Sequence, residues 1–263
     1  MNIHFIDKEL LDKLKVATLA KVMVGSHLYG TNDENSDVDY LYIYATSENE
    51  LLSSIKVHHQ LQYKEDGIDY NFVSLHNFIS NILSGDSTIN YEVIHSDSLN
   101  GSLLDWISKY KDVFTTYTMI RSYLGLARRD VKHFSKANTD YLKMKRLKHI
   151  IRGYTYARDM IRTDKFNFEK SNDEYKSIEI DITTNKMLRN YTNLITGLRN
   201  ELNELLNSNT LNKAKVINVK DGISFNNEFI NFCKSGTFKN KQKVLSDFSL
   251  DSFIDSCENW VTY

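Results

Sequence analysis

The chain has 263 residues, 41% of them hydrophobic and 25% charged, with 33 Lys and Arg against 34 Asp and Glu for a net charge of -1. That make-up belongs to a folded globular protein rather than a disordered chain, and the near-zero net charge predicts no general affinity for polyanions. The length exceeds one average domain, so two packed units, or one domain with a substantial extension, are expected.

The first elements read as α+β. Residues 7 to 20 carry Leu10, Leu11, Leu14 and Leu19 at roughly helical spacing and predict an opening helix. KVMV, 21 to 24, is a short apolar run stopped by Gly25, which reads as a buried strand entering a turn, with a short helix at Ser26 to Tyr29. Thr31 to Ser36 is turn chemistry, and Val38 to Ala45 returns to β-formers. Two further strands are expected at 55 to 63 and 67 to 73, with the turn KEDG between them. The segment SLHNFISNILSG then places Leu75, Phe78, Ile79 and Ile82 on one side of a helix, with Ser74 as N-cap and Gly85 as its stop.

From residue 103 the helical period dominates. Amphipathic helices are expected at about 116 to 135, 139 to 163 and 187 to 207, the last carrying Leu194, Leu198, Leu202 and Leu205. The polar stretch 164 to 186 reads as a loop. The tail combines a β-like piece, VINVKDGISF, with two helices ending at Trp260.

Charge is unevenly spread. Residues 1 to 118 hold 8 Lys or Arg against 17 Asp or Glu, residues 119 to 165 hold 13 against 4, and the remainder 12 against 13, so the balance runs -9, +9 and -1. Two domains of opposite sign suit a metal site on one side and a phosphate-bearing ligand on the other; the alternative is a solvated basic helix face.

Cys233 and Cys257 are the two cysteines, too few for a disulfide framework or a zinc site, which fits a reducing compartment. The opening stretch is charged throughout, and no run of about eighteen apolar residues follows, so neither a signal peptide nor a membrane span is expected. The cytoplasm is the expected location. The chain has no proline and is rich in Asn, Lys, Ile and Tyr, the bias of an AT-rich coding sequence such as a bacteriophage's, in which case the cytoplasm is the host's.

The informative segment is GSHLYGTNDENSDVDYLYI, Gly25 to Ile43. Asp37 and Asp39 stand two apart in a β-favouring run, so alternation sends both carboxylates to one side. Adjacent unpaired carboxylates repel, and a divalent cation between them removes the repulsion. Magnesium prefers carboxylate oxygens together with substrate phosphates, so the pair also implies a nucleotide. The Gly25-Ser26 turn, between a buried strand and a short helix, offers backbone N–H groups and a hydroxyl to a phosphate. Asp69, in the strand-like GIDYNFV, is the candidate third carboxylate, completing the metal cage and helping to deprotonate an attacking hydroxyl. Asp66, its alternative, sits in KEDG and is expected to shape that turn. A lone DxD is a weak signal, and the joint pattern of strand, Gly-Ser, short helix, polar loop and DxD strand is far more specific.

At these residues the chain resembles the DNA polymerase β-like nucleotidyltransferases, whose signature is Gly-Ser followed about ten residues later by an acidic pair flanking one apolar residue. More narrowly, GSHLYGTNDENSDVDY is similar to a bacterial and phage branch associated with RNA repair, as is DYNFVSLHNFISNILSGDSTINYEVI with its Glu92. The branch usually has Asn-Pro where this chain reads Ser87-Thr88-Ile89-Asn90, a departure that affects a turn. KMKRLKHIIRGYTYARDMI resembles the branch's helical half, in which a Lys, a His and an Arg recur at the spacing of Lys145, His149 and Arg152. These lie at i, i+4 and i+7 on one helix face, where they either hold a phosphate or satisfy buried partners. His27 and Tyr29 belong to the matched motif, His27 as a brace and Tyr29 as a candidate to touch the nucleotide.

The resemblance implies an α+β protein: a small mixed β-sheet nucleotidyltransferase domain of the polymerase β palm type over 1–115, then a mainly α-helical domain over 116–263. It also implies two magnesium or manganese ions, a nucleoside triphosphate donor, and an acceptor hydroxyl, foremost an RNA 3′ end such as that of tRNA. A protein or small-molecule hydroxyl, and silent binding without chemistry, are the rival readings.

Overall fold

In the computed structural model the described residues are 2–47 apart from 33 and 35, 59–184 apart from 135 and 164, positions 197, 200 and 204, and 219–245. They form a mixed α+β fold in two compact units. The first takes in the described residues of 1–81, 97–110 and 219–263, and the second those of 82–96 and 111–218.

The first unit is built on a five-stranded sheet. Its strands are β1 (Asn2–Phe5), β2 (Thr18–Val24), β3 (Val38–Tyr44), β4 (His59–Glu65) and β5 (Ile68–Ser74). Their order is β1-β4-β5-β3-β2; β1 runs parallel to β4 and β3 to β5, while β2–β3 and β4–β5 are antiparallel. Asp66 (φ 50) and Gly67 (φ 75) make the two-residue turn that joins β4 to β5, left-handed at both positions as a tight hairpin requires. Asp66 therefore shapes that turn.

Alternation sorts the sheet's side chains into two faces. Tyr40, Tyr42, Tyr70 and Phe72 share one, their rings 4.8 to 6.3 Å apart between centroids. Helix α1 (Lys8–Val16) covers it, burying Leu10, Leu11 and Leu14 with Tyr42, Leu61 and Phe72. Loss of the fully buried Phe72 ring would cost roughly 3–5 kcal/mol, a large share of a domain's stability. Asp39 and Asp69 occupy the opposite face by the same alternation.

Several boundaries differ from the sequence expectation. Asp7 caps α1 through its carboxylate to the Leu10 N–H at 2.8 Å, but the helix ends at Val16, and Leu19 belongs to β2, which pairs with β3 from Thr18 onward. Sheet pairing outweighs the helical spacing of the leucines. Helices α2 (Ser26–Tyr29) and α3 (Leu75–Ser84) stand as expected, with Ser74 Oγ accepting from the Asn77 N–H. Residues 219 to 225 are helical within α8 (Val219–Lys234) rather than β-like, because the helix lets Phe225 stack on Trp106 at 5.7 Å, leaving Ile223 exposed. A last helix, α9, spans Gly236–Lys243, and Trp260 lies outside the described residues.

The second unit is helical: α4 (Thr88–His95), α5 (Tyr117–Phe134), α6 (Asp140–Thr163) and α7 (Phe168–Thr184). α7 replaces the loop expected at 164 to 186; Asn167 caps it, and Phe168, Ser171, Asn172 and Tyr175 recur on one buried side. The polarity of that stretch concealed a narrow apolar stripe. The helix expected at 187 to 207 lies almost wholly outside the described residues. α5 and α6 pack tightly, since a side chain at Gly153 would come within 3.0 Å of the Tyr123 carbonyl.

Inside this unit His95 is 6% exposed between the rings of Tyr91 and Phe166, at 4.4 and 5.0 Å. Burial, reinforced by the Lys111 charge, pushes its pKa down from 6.5 to about 3. The unfolded chain thus takes up a proton near pH 6.5 that the folded one refuses until about pH 3, so stability falls as pH drops through that window. The slope is as much as ~1.4 kcal/mol per pH unit. Melting temperatures measured from pH 7 to pH 4 are expected to fall more steeply for the natural chain than for His95→Phe, which keeps the ring contacts without the titration.

Candidate nucleotidyl-transfer site

Three backbone features bring the motif residues of the first unit together. β2 ends at Val24, paired with Asp39, so Gly25 leaves the sheet beside that carboxylate. Gly25 has φ 67 and ψ -145, a conformation in effect reserved for glycine. A Cβ there would run into Asp39 Oδ2 and lie 3.3 Å from its Cγ. Asp39 is in turn the register partner of Asp69 across the parallel β3–β5 pair. Neighbouring strands lie about 4.8 Å apart, so the two carboxylates leave the same face side by side. Asp37 is exposed, one residue ahead of β3.

Asp69 has company that the sequence did not reveal. Its Oδ2 accepts from Lys64 Nζ at 2.6 Å and from Gln62 Nε2 at 3.3 Å, both on β4. Lys64 and Asp69 are register partners, so their meeting follows from the Asp66-Gly67 turn. Counting across that hairpin was the available signal.

Ser26 opens α2, in which the Leu28 N–H bonds to the Gly25 carbonyl at 3.1 Å, so that the N–H groups of Ser26 and His27 have no acceptor within the helix. Tyr29 is 3% exposed, so its ring belongs to the core and has little surface to give a nucleotide. His27 Nδ1 is buried with no hydrogen-bond partner.

Lys145, His149 and Arg152 lie in the second unit, on α6. Lys145 is exposed. His149 Nδ1 stands 3.3 Å from Asp130 Oδ2, and Arg152 Nε stands 4.0 Å from Oε1 of the fully buried Glu92, which also accepts from Tyr123 at 2.8 Å. Asp130, missed in the sequence, is 1% exposed and meets Arg146 Nη1 at 2.9 Å and Arg129 Nε at 3.4 Å. Burial alone would raise its pKa; the His149 hydrogen bond and the two arginine charges outweigh burial and hold the carboxyl below its ordinary value. A lone acid inside a basic helical run was the signal for it.

The family resolves what this arrangement belongs to. A family model described as RlaP, the RNA repair pathway DNA polymerase beta family, matches residues 8–176. The chain belongs to that family, a branch of the polymerase β class, and the match takes in the Gly-Ser turn, the acidic strands and both basic helices. No curated protein and no solved structure shows significant similarity to it.

A divalent cation fits the donor chemistry of Asp37, Asp39 and Asp69, all hard carboxylate oxygens, with Gly25 leaving Asp39 room against the backbone. Among the described residues no three His, Cys, Asp or Glu side chains are gathered into a single metal-holding cluster, and Asp69 is turned to Lys64.

Gly67 has φ 75 and nothing within 4 Å of the place of a Cβ, so alanine there meets only the backbone cost. Gly25→Ala is expected to destabilise the protein by about 1–3 kcal/mol and by more than Gly67→Ala, because it also displaces the Asp39 carboxylate. Denaturant unfolding of the two variants side by side checks this.

Proposed function

We propose that the protein is a metal-dependent nucleotidyltransferase that moves a nucleoside monophosphate from a nucleoside triphosphate to a hydroxyl at an RNA 3′ end. The observation that carries this reading is the register of Asp39 beside Asp69 with the Gly25 backbone against Asp39. Membership in a family described by RNA repair supports RNA as the acceptor, and so does the surplus of 13 basic over 4 acidic residues at 119 to 165.

In this reading Asp37, Asp39 and Asp69 hold magnesium or manganese, which when bound activates the attacking oxygen and neutralises the leaving phosphates. The acceptor oxygen forms a bond to the α-phosphorus, the bond to the bridging oxygen of the β-phosphate breaks, and pyrophosphate leaves. Asp69 receives the hydroxyl proton, and Lys64, freed from it, is placed to meet phosphate charge. Ser26 and the Gly25 turn orient the triphosphate. The protein's contribution is mostly positioning and charge.

Incubation with magnesium or manganese, each α-labelled nucleoside triphosphate in turn and total cellular RNA tests the proposal. Label is expected in RNA, reduced more than about a hundredfold in Asp37→Ala, Asp39→Ala. Label in protein instead would move the acceptor to a protein hydroxyl. No transfer under either metal, with nucleotide binding intact, would sink the RNA-transferase reading.

A further inference from the structure

Between Arg121 and Arg152, helices α5 and α6 carry nine Lys or Arg and two Asp. Of the two acids, Asp140 has an 89% exposed side chain and pairs locally with Lys143. Asp130 differs: its side chain is 2% exposed, and Arg129, Arg146 and His149 converge on it from two helices. Both arginines reach the same oxygen, Oδ1, so two like charges are held side by side by one buried acceptor.

Each of the three converging side chains keeps a third or more of its surface, at 55%, 36% and 36%. Asp130 therefore organises the cluster from beneath and offsets only part of its charge. A guanidinium carries five N–H donors in a planar fork, and Asp130 engages one atom of each arginine, leaving forks suited to phosphate oxygens. Tyr141, 73% exposed, precedes Lys145 and His149 by one and two turns on the same side of α6.

We propose that Arg129, Arg146 and His149, clustered by the buried Asp130, bind a phosphodiester of single-stranded RNA, with Tyr141 presenting a ring to a neighbouring base. Asp130 is the positioning residue. The length of the basic tract favours a strand over a mononucleotide, since the basic positions of α5 from Arg121 to Lys132 span about 17 Å of helix, beyond a triphosphate. An exposed aromatic beside phosphate-binding cations is the combination that single strands use. This inference deepens the RNA-acceptor reading and rests on it.

The test is binding of a short 5′-labelled single-stranded RNA to the full chain, followed by fluorescence anisotropy across a salt series in chelator without nucleotide. Arg129→Gln, Arg146→Gln is expected to weaken binding at least ~10-fold at low salt. It should also shrink the slope of log affinity against log salt by about 1.4, at about 0.7 for each phosphate no longer neutralised. A companion, Arg129→Gln, Asp130→Asn, Arg146→Gln, removes the buried acid together with its two arginine partners, and the same weakening is expected from it. Lys234→Gln, Lys239→Gln removes equal charge from exposed positions of the first unit and is expected to leave the slope unchanged. An unaltered slope in both cluster variants, an equal weakening in the lysine control, or, in a separate titration with a nucleoside triphosphate, abolished triphosphate binding with RNA binding intact would overturn the site. Because chelator prevents transfer, the outcomes separate: normal transfer to RNA with an unaltered slope removes this site alone, and the expected slope change without any transfer removes the transferase reading alone.

Discussion

Parallel pairing of β3 with β5, in the register that sets Asp39 opposite Asp69, is the constraint on which the site depends. A one-residue slip would send one of the two carboxylates to the tyrosine face, because side chains alternate along each strand. The apolar half of the sheet enforces the register. Tyr42 and Phe72 stack at 4.8 Å only when β3 and β5 are aligned as they are, and α1 closes over that pair. The energy that holds the carboxylates together is thus stored on the face they do not occupy.

The same sheet determines what surrounds the acids. β2 delivers Gly25 to the end of β3, where the absence of a side chain lets the backbone lie against Asp39. The β4–β5 hairpin delivers Lys64 to Asp69. Each strand neighbouring the acidic pair therefore contributes one feature, a close backbone on one side and a cation on the other.

In the second unit, each of two buried acids is met by basic side chains. Glu92 lies at zero exposure between the Tyr123 hydroxyl and Arg152, and Asp130 lies beneath two arginines and a histidine. An unpaired buried carboxylate is costly, so removing its partners would be severe. The partners of Asp130 remain partly in water, which leaves them able to serve a second anion. The +9 balance of residues 119 to 165 is therefore not a uniformly solvated face.

The local features were legible in the sequence because their causes are local. The strand Val38–Tyr44, the helix capped by Ser74, the Asp66-Gly67 turn and the long helices α5 and α6 each follow from spacing and turn chemistry within a few residues. The α+β class and the Gly-Ser with DxD motif could be read for the same reason. Where packing decides, the sequence misleads: Leu19 joins a strand, 168–184 is helical despite its polarity, and 219–225 is helical despite its β-formers. The pairing of Lys64 with Asp69, and of Arg146 and His149 with Asp130, depends on register and helix docking. The sequence by itself determined which residue types are present and which side of their own element they occupy. Only the tertiary structure decided which of them meet, because contacts between elements depend on the apolar packing that aligns those elements and not on spacing along the chain.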